Sequence, residues 1–317
     1  MDKLARRWLA AAGGAVLFLL AACGDDLPAG VDGDLTNDWG ALGEPIAFAP
    51  GSEECHARPY QPVAPLTEYE PVECDEPHLV QTVHVGSFDD DAFDDDAFDE
   101  GEAGLAAPPD ADSTAHRTAF SVCEEHAAEF LGADHRHGRL WLGVALPAEA
   151  AWEGGARWFR CDVMEVSSVY GEPVERTGSL AGSLGGDDAD PELRLGCYQV
   201  EVDDGAVAAM DPVSCDEPHD AEFVGVYRAD GGDYPDPSDD SAEDQVYEGC
   251  REQVAGYVDV PVDDDLVFRT GTVADWMSES DWQGGDRGFR CYLWLPEEEL
   301  TESLAGAGED ALPVQTE

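Results

Sequence analysis

The sequence predicts an α+β fold made of two tandem disulfide-bonded modules, each a small antiparallel sheet packed with one main helix. Three observations predict it. Cys74-Asp75-Glu76-Pro77-His78 recurs letter for letter as Cys215-Asp216-Glu217-Pro218-His219. Two further stretches repeat in the same order: Trp152 to Cys161 against Trp282 to Cys291, sharing Trp-x-Gly-Gly-x-Arg-x-Phe-Arg-Cys, and Thr177 to Gly182 against Thr301 to Gly306. Between the repeats, each half carries strand-like apolar runs and one amphipathic stretch with a cysteine on its apolar face. Repetition of three motifs in one order marks an internal duplication.

Along the chain, residues 1–22 read as a lipoprotein signal peptide. Lys3, Arg6 and Arg7 form a positive start, Leu9 to Leu20 is apolar, and Leu20-Ala21-Ala22-Cys23 has the form of a lipobox. Lipidation of Cys23 would hold the mature chain on the extracytoplasmic face of the cell membrane, because two acyl chains anchor firmly. Residues 23–50, rich in Gly, Asp, Pro and Ala, read as a flexible tether.

Module 1 is placed at 51–184 and module 2 at 190–306, with a Gly- and Asp-rich connection between them and an acidic tail at 307–317 expected to lack fixed structure. The eight remaining cysteines divide four and four: Cys55, Cys74, Cys123 and Cys161, then Cys197, Cys215, Cys250 and Cys291. Even numbers in an exported chain imply two disulfides per module. Of three possible connectivities, first-to-second and third-to-fourth is favoured, since each bridge then joins neighbouring elements.

In module 1, Leu79 to Val85 reads as a strand. The Phe-Asp-Asp-Asp-Ala repeat that follows makes 88–102 an acidic loop that like charges keep from packing. Thr118 to Leu131 reads as a helix from apolar residues at three and four, and Ser241 to Val258 is its counterpart. Phe130 and Tyr257 each lie seven residues after the helical cysteine. Arg139 to Leu146 and Leu266 to Val273 read as strands, the Trp-x-Gly-Gly-x-Arg stretches as turns, and Trp158 to Met164 and Phe289 to Leu295 as closing strands.

The chain has 71 acidic residues against 16 basic, a net charge of −55. Such a surface repels phosphate backbones, so no nucleic acid partner is expected. Apart from Lys3 every basic residue is arginine, the better partner for buried and bidentate pairing. His78 and His219 are the first candidates for chemistry, as general bases or as metal ligands with Asp75, Glu76, Asp216 and Glu217. The plainer reading is a histidine that hydrogen-bonds within its turn and fixes the next strand. Trp152 with Arg157, and Trp282 with Arg287, suggest a stacked cation–π pair or a clamp on a backbone carbonyl. No phosphate-cradling loop, nucleophile elbow or His-Glu-x-x-His pair occurs, so neither cofactor nor metal is expected, and no catalytic residue is assigned.

The two motifs together resemble the septum formation domain family of actinobacterial exported and membrane-anchored proteins, here as two tandem copies. Module 2 carries the fuller pattern, Cys215-Asp216-Glu217-Pro218-His219-Asp220-Ala221-Glu222 and Trp282 to Cys291 with Asp286-Arg287. Module 1 departs from it: Leu79-Val80-Gln81 replaces Asp-x-Glu, and Ala156 stands opposite Asp286. The resemblance implies a role in septum formation or envelope assembly. The expectation is a non-enzymatic, lipid-anchored binding or scaffold protein whose partner is an envelope or division protein. Two alternatives remain: a cation-dependent envelope enzyme using the two motif histidines, and an acidic cation-binding surface protein.

Overall fold

The computed structural model describes residues 47–90, 93, 107–169, 171–186, 189–204 and 206–315. The signal peptide, Cys23 and the tether up to residue 46 therefore lie outside the described residues, as do 91–92 and 94–102 of the acidic loop and residues 103–106 after it. Residues 47–317 form one compact unit.

The first half contributes β1 (Cys55–His56), β2 (Val63–Ala64), β3 (Pro71–Val72), β4 (Val80–Ser87), α1 (Thr114–Leu131), β5 (Leu140–Pro147), α2 (Glu149–Glu153) and β6 (Trp158–Glu165). The second contributes β7 (Cys197–Asp203), β8 (Ala206–Val213), β9 (Ala221–Arg228), α3 (Asp240–Val258), β10 (Gly271–Asp275), α4 (Glu279–Gly284) and β11 (Gly288–Trp294). One sheet runs β2-β5-β6-β4-β1-β3 and the other β10-β11-β9-β7-β8. Without β2, a two-residue strand parallel to β5, the orders coincide element for element. Both sheets also carry a bulge at the same place. Thr82 pairs with Asp162 and His84 with Cys161, leaving Val83 unmatched. Phe223 pairs with Tyr292 and Gly225 with Cys291, leaving Val224 unmatched.

Each main helix packs one face on its sheet. Helix α1 buries Ala115, Ala119, Phe120, Cys123, Ala127 and Leu131, and α3 buries Val246, Gly249, Cys250, Val254, Ala255 and Val258. The small residues let the helices lie close to the strands, and the larger ones each contribute about 1.5–3 kcal/mol by burial. Ser113 caps the start of α1 and Asp239 that of α3, each accepting backbone N–H bonds. Both helices end in a left-handed residue, Gly132 in the first half and Asp259 in the second. Gly132 also abuts Gly185, where a Cβ on either would collide with the other's backbone.

The disulfides join Cys55 to Cys74, Cys123 to Cys161, Cys197 to Cys215 and Cys250 to Cys291, which is the favoured connectivity. In each half one bridge ties the helix to the central strands and the other staples the Cys-Asp-Glu-Pro-His turn to the strand beside it.

Four expectations are corrected. The acidic loop does not begin outside the core: Phe88 and Phe93 are buried and pack edge-on against each other and against Phe159. The first two aromatic side chains of the repeat, Phe88 and Phe93, thus belong to the core. Leu266 to Val273 is not one strand. A 3₁₀ turn at Leu266–Phe268 precedes β10, with Leu266 and then Arg269 buried and Val267 and Phe268 exposed, a spacing of three instead of alternation. The Trp-x-Gly-Gly stretches begin as the short helices α2 and α4 and turn only at the glycines. The tail is ordered through Gln315: Leu312 is buried, Arg269 donates to its carbonyl at 2.8 Å, and Gln315 N–H reaches the Phe268 carbonyl. Burying the Arg269 guanidinium demands acceptors, and the tail supplies them.

Candidate functional site

The two Cys-Asp-Glu-Pro-His turns build the same junction. In each, a backbone bond closes the turn, from Glu76 N–H to Glu73 O and from Glu217 N–H to Ser214 O. The histidine that follows is buried. His78 Nδ1 lies 2.9 Å from Glu76 O, and His219 Nδ1 lies 2.8 Å from Glu217 O. A carbonyl only accepts, so Nδ1 carries the proton in both rings. Their backbones exchange paired bonds with Arg176 and with Leu300, which draws the third repeated stretch onto the junction. Asp75, Glu76, Asp216 and Glu217 point outward on the turn. Asp216 accepts from the Ser214 hydroxyl.

Three residues beyond each histidine, the halves differ in charge. Glu222 is fully buried and accepts from Tyr257 OH at 2.6 Å, Ser303 Oγ at 2.8 Å and Leu304 N–H at 2.9 Å. Gln81 takes the same place, accepting from Leu180 N–H at 2.8 Å and donating to Ser179 Oγ at 3.0 Å. A buried carboxylate needs more donors than an amide. Tyr257 provides one in the second half; Phe130, at the same helical position in the first, has none to give. The Glu–Tyr and Gln–Phe pairs are matched sets.

Cys197, His219 and Glu222 place one atom each within 4.8 Å of one another. The Cys197 sulfur is already bonded to Cys215, so this trio offers a metal two free ligands, not three.

The Trp–Arg stretches close short helices. Arg157 stacks 4.3 Å over Trp152 and donates to the carbonyls of Trp152 and Ala156. Arg287 stacks 4.0 Å over Trp282 and donates to the carbonyls of Trp282 and Asp286. A cation on the last carbonyls of a helix satisfies otherwise orphaned acceptors. Gly155 and Gly285 take positive φ at the turn, 96° and 120°.

Asp286 does something its counterpart Ala156 cannot. It pairs with Arg136, a 99% buried guanidinium from the 3₁₀ turn His135–His137 of the first half. Arg136 also meets Asp134 at 3.0 Å and Glu124 at 2.5 Å, while Arg228 of the second half reaches back to both acids. Burial works to raise the Asp286 carboxyl, but the Arg136 charge, the neighbouring His135 and the bonds from Gly288 N–H and Arg136 together hold it below the usual range. Gly288 completes the fit, because a Cβ there would lie 2.3 Å from Arg136 Nε. The motif acid Asp286 therefore joins the halves. Beside it a cleft of about 660 Å³ opens between them, lined by Tyr60, Trp141, His116, Asp281 and Arg290 among others.

The helix-free faces of the two sheets carry different chemistry. On the first, Arg160 pairs with Asp162 through Nε at 2.9 Å and Nη2 at 2.7 Å. Thr82 Oγ1 donates to Asp162 at 2.8 Å, and His56 Nε2 lies 3.0 Å from Thr82. Burial, then the Arg160 charge, pushes His56 down to about 4, so it is neutral at pH 7. On the second face the same positions hold Tyr198, Phe223 and Tyr292, packed edge to face. His56, Thr82, Arg160 and Asp162 were not singled out from the sequence. The signal that finds His56, Thr82 and Asp162 is a position-by-position comparison of the repeats, marking where the two disagree; Arg160 is shared with Arg290 and escapes it.

The model of the septum formation family matches residues 53–291 in a single span that takes in both halves. No curated protein and no solved structure matches the chain.

Proposed function

Because the chain belongs to the septum formation family, we propose that it is a lipid-anchored protein of the cell envelope that serves septum formation as a non-enzymatic binding or scaffold component. In this reading 51–184 and 190–306 are tandem copies of one module, the family's unit is the pair, and Cys23 carries the anchor. The partner is an envelope or division protein. No helix among the described residues is long and apolar enough to cross a membrane, and a lipidated Cys23 would supply the attachment.

The observation that carries the reading is what the repeated residues do. His78 and His219 are buried and bonded to their own turns, and Arg157 and Arg287 close helices, while the unrepeated Asp286 joins the halves. The repetition preserves a frame, and a frame held by cross-links suits presentation of surfaces to partners. Two linked modules also gain avidity through effective concentration.

The test is the position of the tagged, full-length protein in dividing cells of its own host. Enrichment at the division site is expected, with loss of membrane attachment on Cys23→Ala. An even distribution over the envelope overturns the septal role. A His219→Ala protein that folds normally but loses a metal-dependent activity overturns the non-enzymatic one.

A further inference from the structure

Between the helix-free face of the first sheet and the segment 47–69 lies a cavity of about 230 Å³. Arg160, His56 and Trp158 line it from the sheet, and Tyr60 and Tyr69 from the segment. Phe48 and Leu66, which also line it, are 40% and 57% exposed and so mark its open side.

Four features give this cavity a ligand chemistry. First, the frame does not require the polar groups around Arg160, since the second half keeps Arg290 but builds the positions of His56, Thr82 and Asp162 from Tyr198, Phe223 and Tyr292. Second, it has donors to spare. Arg160 commits Nε and Nη2 to Asp162, and its Nη1 has only His56 Nε2 at 3.5 Å. The indole N–H of Trp158, a residue more than nine-tenths buried, has no acceptor. The hydroxyls of Tyr60 and Tyr69 are already given to the Val144 carbonyl and to Glu54. An occupant must therefore bring acceptors. Third, basic side chains outnumber acidic ones in the lining, Arg58 and Arg160 against Glu68, in a chain with 71 acids and 16 bases, although Arg58 is paired with Glu68 and Glu70 and Arg160 with Asp162. Fourth, the size is right for one small group, since a cavity of about 150 Å³ accommodates benzene.

We infer that this cavity binds a carboxylate carried on an apolar body the size of one aromatic ring or one amino-acid residue, with Arg160 as its principal partner. The carboxylate could belong to a free small acid or to the C-terminal residue of a polypeptide. The inference stands whether or not the protein acts at the septum.

The test uses the full chain labelled with ¹⁵N at the tryptophan indoles, the Trp158 resonance being identified by its loss in Trp158→Phe. Benzoate, N-acetylphenylalanine and N-acetylphenylalanine amide are titrated separately into the millimolar range. The expected result is a saturable shift of Trp158 with at least one of the two acids while Trp282 stays still, and binding of the amide weaker by about tenfold or more. A response to benzoate alone identifies a free acid as the source; tighter binding of N-acetylphenylalanine identifies a chain end. Thr82→Phe with Asp162→Tyr, which installs the second half's pair, should abolish the shift. Ala64→Trp, on the cavity wall in β2 and away from the buried groups, should abolish it also, and decides the matter if the first variant does not fold. The inference is overturned if neither acid moves Trp158, if the amide binds as well as the acid, or if Ala64→Trp leaves the shift unchanged.

Discussion

The two halves place Arg160 and Arg290 at the same point of the same strand, yet supply their counterions differently. Arg160 takes Asp162 from its own strand. Arg290 takes Asp275 from the neighbouring strand at 3.7 Å, and donates further to the carbonyls of Arg136 and Leu140 across the boundary between the halves. Ala145 stands where Asp275 would be in the first half, and Tyr292 where Asp162 would be in the second. One arginine is turned toward an open cavity and the other toward the partner half. A repeated frame with the same bulge, bridges and turns leaves these few side chains to decide whether a sheet face binds, joins or packs.

The largest effect expected from breaking this arrangement is at the joint. Arg136→Met leaves Asp286, Asp134 and Glu124 facing one another in a buried space and should cost about 3–5 kcal/mol in urea unfolding. Asp286 has a depressed carboxyl, so the stability it contributes is present above the unfolded range near about pH 4 and drains away as pH falls through the lower folded value. The Arg136→Met protein should accordingly lose part of its deficit in acid. An unchanged deficit at low pH would mean that the carboxylates are not its cause.

Asp275 should show the opposite slope. Burial raises its carboxyl to about 6, above the unfolded value, despite the opposing pull of Arg290. Its contribution is full below about pH 4 and is lost as pH rises through about 6, a fall of about 2–3 kcal/mol. Asp275→Asn should remove that slope, which unfolding curves collected across this window would reveal. In the first half Ala145 stands at this place, and the raised carboxyl belongs instead to Asp162, which burial shifts in the same direction.

A smaller effect tests the matched pairs. Gln81→Glu puts a carboxylate where Phe130 offers no hydroxyl and should cost about 1–3 kcal/mol. Adding Phe130→Tyr should recover most of it, and a double-mutant cycle measures the coupling. Absence of coupling would sever the link drawn between Glu222 and Tyr257. Smallest are the helix clamps: Arg157→Gln and Arg287→Gln should each cost about 0.5–1 kcal/mol in thermal or urea unfolding.

The α+β class and the disulfide pairing are legible in the sequence because both depend on local spacing that the duplication states twice. The main helices are legible for a similar reason, their apolar period running through a cysteine that must reach the sheet. Arg136 is not legible. It sits between two histidines in a short turn, without a repeated motif, and its importance arises only when Asp286, Glu124 and Arg228 converge from distant positions. The His56–Thr82–Asp162 cluster is hidden by the bulge at Val83, which decides which β4 residues face which side. The tail misleads because its acidic composition argues for solvation, while one buried arginine and one leucine decide its place.

That tail has a bearing on the order in which the molecule is assembled. Synthesis proceeds from the N-terminus, and domains close as their parts emerge. The first half has both its cysteine pairs and its helix by residue 165, but Arg136 has no Asp286 until the chain has grown 150 residues beyond Arg136 itself. The second half waits longer still, because Arg269 finds its carbonyl only at Leu312. A chain ending before Leu312 would thus leave the buried Arg269 guanidinium without that carbonyl, however complete the strands before it.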